Sequence, residues 1–151
     1  MLFFTDRNPF STGKTSCEIR PIPGIRQDAN RILIPVSIEG IFVRAVIDTG
    51  GVYLIIEPNI AGDLGLDPQD AINSDNITIR GRRYEGHLHR VNMRVQAEVG
   101  EDLIQEVTAF IPDATAEEWG DLPTFLGLTY CLEFLRFAVD PNENQFYFAS
   151  A

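Results

Sequence analysis

The chain has 151 residues, of which 44% are hydrophobic and 23% are charged, a balance typical of one soluble globular domain. This composition excludes wholesale disorder and collagen-like repeats. No apolar run approaches the roughly 18 residues that a membrane span requires, so no membrane partner is expected. Because 22 acidic residues outweigh 12 basic ones and give a net charge of −10, we expect no nucleic-acid partner either.

The cysteines and the first residues of the chain indicate its compartment. Cys17 and Cys131 are too few for a disulfide scaffold, and two free thiols in a reducing compartment are favoured over one bridge between them. The start, Met1 to Asp6, lacks a basic leader and has an apolar run of only four residues, so it does not resemble a signal peptide. We therefore expect a cytoplasmic protein.

Residues 1–30 are predicted to be irregular, because prolines and glycines interrupt them throughout. Within them, Thr12-Gly13-Lys14-Thr15 is similar to the end of a phosphate-binding P-loop, but Asn8 occupies a position where that motif requires glycine. From Arg31 the hydrophobic pattern becomes regular, so we predict a folded domain over residues 31–151. The interrupting residues are Pro9, Gly13, Pro21, Pro23 and Gly24.

Alternating hydrophobic residues predict a first hairpin. Its strands cover residues 32–38 and 41–47, and a tight turn at Glu39-Gly40 joins them. The second strand leads directly into Asp48-Thr49-Gly50. A proline in the first turn and a glycine at the end then mark a short predicted helix over residues 58–65.

The second half of the chain continues as short strands. The polar segment Arg80–Gly86 follows a short strand and is predicted to be a hairpin tip, because it carries a glycine near each end. Residues 87–99 alternate almost without interruption, residues 103–111 form the return strand, and residues 113–121 are an acidic loop. A last hairpin closes the chain. Helical spacings of three, four and seven predict a helix through Leu128, Cys131, Leu132 and Leu135.

These elements indicate an all-β fold, a barrel or a sandwich of six to eight short strands with one or two short helices. Within it, Asp48-Thr49-Gly50 is the candidate for chemistry because it ends a core strand. Gly50 allows close approach of another backbone, and the Thr49 hydroxyl can hold the Asp48 carboxylate in place. Taken alone, the triplet fits an aspartate that caps a turn about as well as a catalytic one.

Two separate blocks resemble the retropepsin-like aspartic proteases. The stretch from Gly40 to Gly51, followed by Leu54-Ile55-Ile56, is similar to the active-site hairpin of that family. Phe125-Leu126-Gly127 is similar to the apolar pair and glycine that cross behind the family's active-site loop. The blocks occur in the family's order, and the resemblance extends over about residues 31–149.

The resemblance implies a closed β-barrel, the equivalent of one pepsin half, that works as a homodimer without metal or cofactor. It would hydrolyse peptide bonds of a polypeptide substrate with a water held between two aspartates. Since the chain has one such triplet, the second aspartate would come from another copy. Asp48 would be catalytic, with Thr49 and Gly50. Substrate contacts would come from Gly51, Val52, Arg80, Gly81, Arg82 and Tyr84.

Two departures from the family leave alternatives open. Gly51 stands where the family usually has alanine or serine, and the hairpin that would cover the substrate is rich in arginine rather than glycine. The main alternative is therefore a binding or assembly module that keeps the fold without cleaving. A more distant one is a monomeric β-domain in which Asp48 is only structural.

Other polar residues have plain structural interpretations. His87 and His89 extend an apolar stripe and are expected to be structural rather than metal ligands, so no metal site is predicted. The basic patch is expected to be a solvated hairpin, with contact to acidic substrate side chains or to the partner subunit as the alternative. The terminal segments 2–4 and 146–151 are candidates for the dimer interface. The patch comprises Arg80, Arg82, Arg83, Arg90 and Arg94.

Overall fold

The computed structural model describes residues 1–23 and 29–151; the expectation for Gly24 lies outside the described residues. The helices are α1 (Pro58–Leu64) and α2 (Ala116–Trp119), and Pro68–Asp70 and Leu132–Phe134 form single turns of 3-10 helix. The strands are β1 (Gly13–Ser16), β2 (Glu18–Arg20), β3 (Arg31–Ile38), β4 (Ile41–Asp48), β5 (Leu54–Ile55), β6 (Asn73–Ile79), β7 (Arg82–Val95), β8 (Val99–Gly100), β9 (Leu103–Pro112), β10 (Thr124–Gly127), β11 (Leu135–Asp140) and β12 (Gln145–Ser150).

The strands are arranged in two hydrogen-bonded sheets. The larger has the order β2-β3-β4-β10-β5-β9-β7-β6, and the smaller has the order β11-β12-β1-β8. Within the larger sheet, Ser37 and Ile38 of β3 also pair with Arg94 and Met93 of β7. The prediction of a mostly-β fold with short helices is confirmed. Among the described residues, no helix combines the length and the apolar character needed to cross a membrane.

Alternation in the sequence produces the main core. Ile34, Val36 and Ile38 of β3 are almost completely buried, as the period-two pattern predicts, and they join inward-facing side chains of β7 and β9. A second cluster, which includes Tyr53, Phe110 and Trp119, lies under the outer part of the β6–β7 hairpin. Each large side chain so buried contributes about 1.5–3 kcal/mol to folding, which holds the strand ends in fixed positions.

The prediction of an irregular segment over residues 1–30 is wrong, because β1 and β2 lie within it. Strand β1 pairs antiparallel with β12, and Gly13 lies opposite Phe148. A side chain at Gly13 would collide with the Phe148 ring, so this glycine serves close packing rather than a turn. The resemblance of Thr12–Thr15 to a P-loop is thereby excluded, since Gly13–Ser16 is a strand with no helix directly after it.

Strand β12 limits how residues 146–151 could take part in the predicted dimer interface. It lies between β11 and β1 of its own chain, so both of its edges are already hydrogen-bonded. Phe146 and Phe148 are fully buried in the core. The strand therefore belongs to the fold of a single chain and has no free edge for a second one.

The prediction of a helix over residues 128–135 is also wrong. Leu128–Cys131 form turns, Leu132–Phe134 form one 3-10 turn, and Leu135 begins β11. The N–H groups of Leu128 and Tyr130 bond to other parts of the chain instead of closing a helix. The predicted helix after Pro58 is confirmed, and it ends at Gly65 in the left-handed conformation with φ 65°.

The loop predicted over residues 113–121 contains helix α2. Its signal was present in the sequence as a capping box, in which Thr115 accepts from the Glu118 N–H and the Glu118 carboxylate accepts from the Thr115 N–H. Trp119 of this helix is buried, and its indole N–H donates to the Leu122 carbonyl at 2.7 Å. Helix α2 thus closes one end of the second cluster.

Candidate active site

Asp48 is the last residue of β4, and it is half-buried. The Gly50 N–H donates to its Oδ1 at 3.2 Å, and the Gly51 N–H donates to its backbone carbonyl at 3.0 Å. These bonds make a tight turn directly after the core strand, which fixes the direction of the carboxylate. Thr49 and Gly50 are exposed at the outside of that turn.

Strand β10 supports the loop of residues 48–53, which we call the Asp48 loop. It runs parallel to β4, with Gly127 beside Asp48, and antiparallel to β5. The Gly127 N–H donates to the Tyr53 carbonyl at 2.9 Å, and the Leu128 N–H donates to the Gly51 carbonyl at 2.8 Å. A Cβ atom at Gly127 would lie 2.4 Å from the Tyr53 oxygen, so only glycine fits. The predicted crossing behind this loop is confirmed.

A hairpin of residues 73–88, which we call the flap, joins β6 to the start of β7. Its turn consists of Arg80 (φ 53°) and Gly81 (φ 82°), and Ile79 pairs with Arg82 across it. Two central residues with positive φ make the primed turn that suits strand twist. The tip is therefore two residues long, and the prediction of a tip over Arg80–Gly86 is wrong.

Gly86 is a strand residue, not part of the turn. It pairs with Asp75 on one side and with Pro112 of β9 on the other. A Cβ atom there would lie 2.4 Å from the ring of Phe110, so the missing side chain allows that ring to pack against the flap backbone. The glycine thus marks a close approach, which sequence alone does not distinguish from a turn.

Asp48 and the flap tip line one cleft of about 180 Å³. Its walls are three charged residues and four apolar ones: Arg31, Asp48, Arg80, Val46, Ile47, Ile79 and Phe125. Larger hollows of about 300 and 350 Å³ lie around Phe42 and contain no residue of the triplet, so cavity size alone does not mark the site.

The remaining predicted site residues lie around this cleft without lining it. Arg82 and Tyr84 line a second hollow of about 200 Å³ together with Asp113 and Glu118. The Arg82 guanidinium lies 4.9 Å from the Tyr84 ring centroid and donates to the Glu118 carbonyl at 3.0 Å. Val52 is 43% exposed on the Asp48 loop.

Sequence reasoning missed a contact between the Asp48 loop and the flap. The Tyr53 hydroxyl donates to Asp75 Oδ2 at 2.5 Å. The pKa of Tyr53 is raised to about 12, chiefly by burial and secondly by the hydrogen bond to Asp75. The same bond, followed by that from the Asn76 N–H, lowers the pKa of Asp75. An aromatic residue just before the apolar run Leu54–Ile56 was the available signal, and nothing in the sequence pointed to Asp75.

The two histidines form a buried pair on β7. Their rings meet edge to face at 4.9 Å, and His87 Nδ1 lies 3.1 Å from Asp113 Oδ1. The pKa of His89 is lowered, chiefly by burial and secondly by the neighbouring His87. Within residues 1–23 and 29–151, no group of three or more His, Cys, Asp or Glu side chains is arranged to hold a metal ion.

Three arginines of the basic patch form ion pairs on the surface. Arg83 pairs with Glu85, Arg90 with Glu106, and Arg94 with Asp102. Such exposed pairs contribute about 0–1 kcal/mol each and fit the solvated interpretation of that part of the patch.

The comparisons with known proteins bear on the fold. No family model matches the sequence, and no curated protein matches it. A retropepsin-like aspartic protease from Rickettsia conorii matches with a TM-score of 0.58 at 16% sequence identity, over 92% of this chain and 94% of that chain. The retroviral protease-like domain of Ddi1 from Leishmania major gives a TM-score of 0.46, also at 16% identity, over 78% of this chain and 92% of that one.

The Rickettsia match covers nearly all of both chains, so it concerns the whole architecture. At this sequence identity it is informative about the fold alone. Together with β10 crossing behind the Asp48 loop, it confirms the resemblance seen in the sequence. The chain therefore has the retropepsin-like fold.

Proposed function

We propose that the protein is a retropepsin-like aspartic endopeptidase whose active site is shared between two identical chains. The observation that carries this proposal is the position of Asp48. The carboxylate ends a core strand, is oriented by the Gly50 N–H, and lines a cleft that the flap tip also lines. The pairing of β3 with β7 supports describing the larger sheet as a closed barrel.

The chemistry requires two Asp48 side chains and one water. Two carboxylates in contact cannot both ionise easily, so the pair shares one proton and titrates as a unit. The ionised member takes a proton from the water, which attacks the peptide carbonyl, and the protonated member donates to the carbonyl oxygen. In this scheme Thr49 holds the two loops together across the dimer axis, while Gly50 positions the carboxylate.

A surface beside the Asp48 loop supports the homodimer. Val52, Leu128 and Tyr130 are each at least 40% exposed. They are contiguous, because the Leu128 and Tyr130 N–H groups donate to the carbonyls of Gly51 and Val52. Apolar side chains clustered at half of a two-fold site are the surface that a second copy would cover.

The substrate would lie between Asp48 and the flap. Gly51 leaves room beside the carboxylate, since a Cβ atom there would be 3.2 Å from Asp48 Oδ2. Val52 and Gly81 would contact the polypeptide backbone, and the Arg80 guanidinium at the flap tip would favour acidic residues in it. Arg82 and Tyr84 line the neighbouring hollow, where Arg82 could contact an acidic residue of a longer peptide.

Replacing Asp48 tests the proposal. We expect Asp48→Asn to abolish cleavage of an unstructured peptide library while the fold and the dimer persist, because the amide cannot act as base. Asp63→Asn is the matched control, since Asp63 is an exposed aspartate on α1 and should leave cleavage unchanged. Cleavage is followed by mass spectrometry, the fold by circular dichroism and the dimer by light scattering.

Two results would contradict the proposal. Cleavage retained by Asp48→Asn would remove the catalytic role of Asp48. A wild-type protein that dimerises and binds peptides without cutting any of them would establish the alternative, a binding module of the same fold.

A further inference from the structure

The side chain of Tyr53 is held on three sides. Its ring stacks on Tyr130 with centroids 5.4 Å apart and on Phe110 with centroids 6.1 Å apart, and the interplanar angles are 11° and 18°. Only 7% of the residue is exposed. The hydroxyl therefore has one fixed direction, toward Asp75 Oδ2 at 2.5 Å.

Asp75 belongs to the flap, and the packing there explains why Tyr53 reaches it. Asp75 pairs across the flap with Gly86, and the Phe110 ring packs against Gly86 where a side chain would otherwise stand. Because Tyr53 stacks on that same ring, the phenol is directed at the base of the flap. The part of the flap beyond this level, residues 76–85, extends to the tip at Arg80-Gly81.

The backbone of Tyr53 is bonded to the strand that lies beside Asp48. Its carbonyl accepts from the Gly127 N–H, and Gly127 lies beside Asp48 in the parallel pairing of β10 with β4. One residue thus connects the strand behind the candidate catalytic carboxylate to the base of the flap. Its backbone carbonyl bonds to that strand, and its side-chain hydroxyl bonds to the flap.

We infer that Tyr53 and Asp75 form a strap that sets the height of the flap over Asp48, which makes Tyr53 a positioning residue for substrate binding. This inference rests on the proposed function. The strap touches neither the scissile bond nor the water, so its loss should weaken the hold on the peptide and leave the chemical step almost unchanged. In kinetic terms, KM should rise while kcat stays nearly constant.

Conservative variants isolate the hydrogen bond. Tyr53→Phe keeps the stacked ring and removes the hydroxyl, and we expect KM to rise roughly tenfold to a hundredfold, as for loss of a hydrogen bond to a charged group. Asp75→Ala should have the same effect. Asp75→Asn keeps an accepting oxygen and should restore most of the wild-type KM. Tyr147→Phe is the control, because Tyr147 is a half-buried tyrosine of β12 in the other sheet.

A second readout does not depend on activity. Trp119 is the single tryptophan of the chain, and it contacts Tyr84 of the flap edge to face, with ring centroids 5.1 Å apart. Acrylamide quenching of its fluorescence reports how tightly the flap covers it. We expect stronger quenching in Tyr53→Phe and Asp75→Ala than in the wild type, Asp75→Asn or Tyr147→Phe.

The outcomes separate this inference from the proposed function. If the wild type cleaves peptides and Tyr53→Phe changes neither KM nor Trp119 quenching, the strap is refuted and the protease stands. If the wild type cleaves nothing but quenching rises in Tyr53→Phe and Asp75→Ala, the strap is supported and the protease is refuted. An equal fall of kcat in all variants, with KM unchanged, would also overturn the positioning role.

Discussion

Two glycines control how closely the backbone packs behind Asp48. At Gly127 a Cβ atom would lie 2.4 Å from the backbone oxygen of Tyr53 and 2.7 Å from its backbone nitrogen. Strand β10 would have to move to relieve this clash. At Gly51 the shortest such contact is 3.2 Å, to Asp48 Oδ2, and a small shift would accommodate it. The fold therefore requires glycine at position 127, whereas it could accept a small side chain at position 51.

Alanine substitutions at the two glycines should differ in how far they lower the free energy of unfolding. We expect Gly127→Ala to lower the free energy of unfolding by more than about 2 kcal/mol, because the clash is with backbone. Gly51→Ala should cost less than about 1 kcal/mol. The control is Gly62→Ala within α1, where a Cβ atom meets nothing within 4 Å and helix propensity should stabilise by roughly 0.5–1 kcal/mol. Urea unfolding measures all three, and a Gly127→Ala protein as stable as Gly51→Ala would refute the clash.

Residues could be predicted from the sequence where their signal is local. Asp48 and Gly127 stand inside motifs of a few consecutive residues, so the sequence locates both. Tyr53 and Asp75 are 22 residues apart, and they meet only because α1 and β6 fold back to place the flap beside the Asp48 loop. A contact of that kind depends on strand register, which alternation alone does not specify.

At the scale of elements, β7 carries a buried histidine, His89, that is sensitive to acid. His89 faces His87 on its own strand, and the acidic side chains of Asp67 and Asp70 act on it from the segment after α1. These two carboxylates favour the charged form, but burial outweighs them and the pKa of His89 lies below its ordinary value of 6.5. His87 in turn faces Asp113, which follows β9.

Burial of His89 should make the protein less stable in mild acid. Since the pKa of His89 is lower in the folded state, the unfolded state binds the proton more readily. The stabilisation is therefore complete above pH 6.5 and is lost as the pH falls through the lowered pKa. We expect the melting temperature of the wild type to fall more between neutral and mildly acidic pH than that of His89→Phe, as measured by scanning calorimetry. Because the chain has only two histidines, parallel curves would refute the assignment.

Strands and helices could be predicted where the hydrophobic pattern is periodic over many residues. Where that pattern is short, it did not decide between helix and strand. Strands β3, β4, β7 and β9 follow their alternation, and α1 follows its proline and glycine. The spacing of Leu128 to Leu135 fits a helix equally well, yet the backbone there supports the Asp48 loop instead. Strand β1 escaped prediction because its partner, β12, is at the other end of the sequence.

For the whole molecule, charge opposes the proposed assembly. One chain carries −10, so two chains carry −20, and their repulsion weakens association. We expect the dimer to tighten as added salt shortens the screening length from about 10 Å at 0.1 M to about 3 Å at 1 M, and as the pH falls toward the pI of about 4.5. Analytical ultracentrifugation measures the dissociation constant, and a constant that increases with salt would contradict the electrostatic explanation.

The position of β12 gives this proposed enzyme a latent form. Because β12 completes the core of its own chain, we expect the chain to fold without a partner, and under the proposed mechanism such a monomer would be inactive. Deleting residues 145–151 would then destroy the fold rather than merely separate two subunits. If the active site is shared between two chains as proposed, dilute chains would be folded but inactive, and cleavage would begin only at concentrations at which the chains pair.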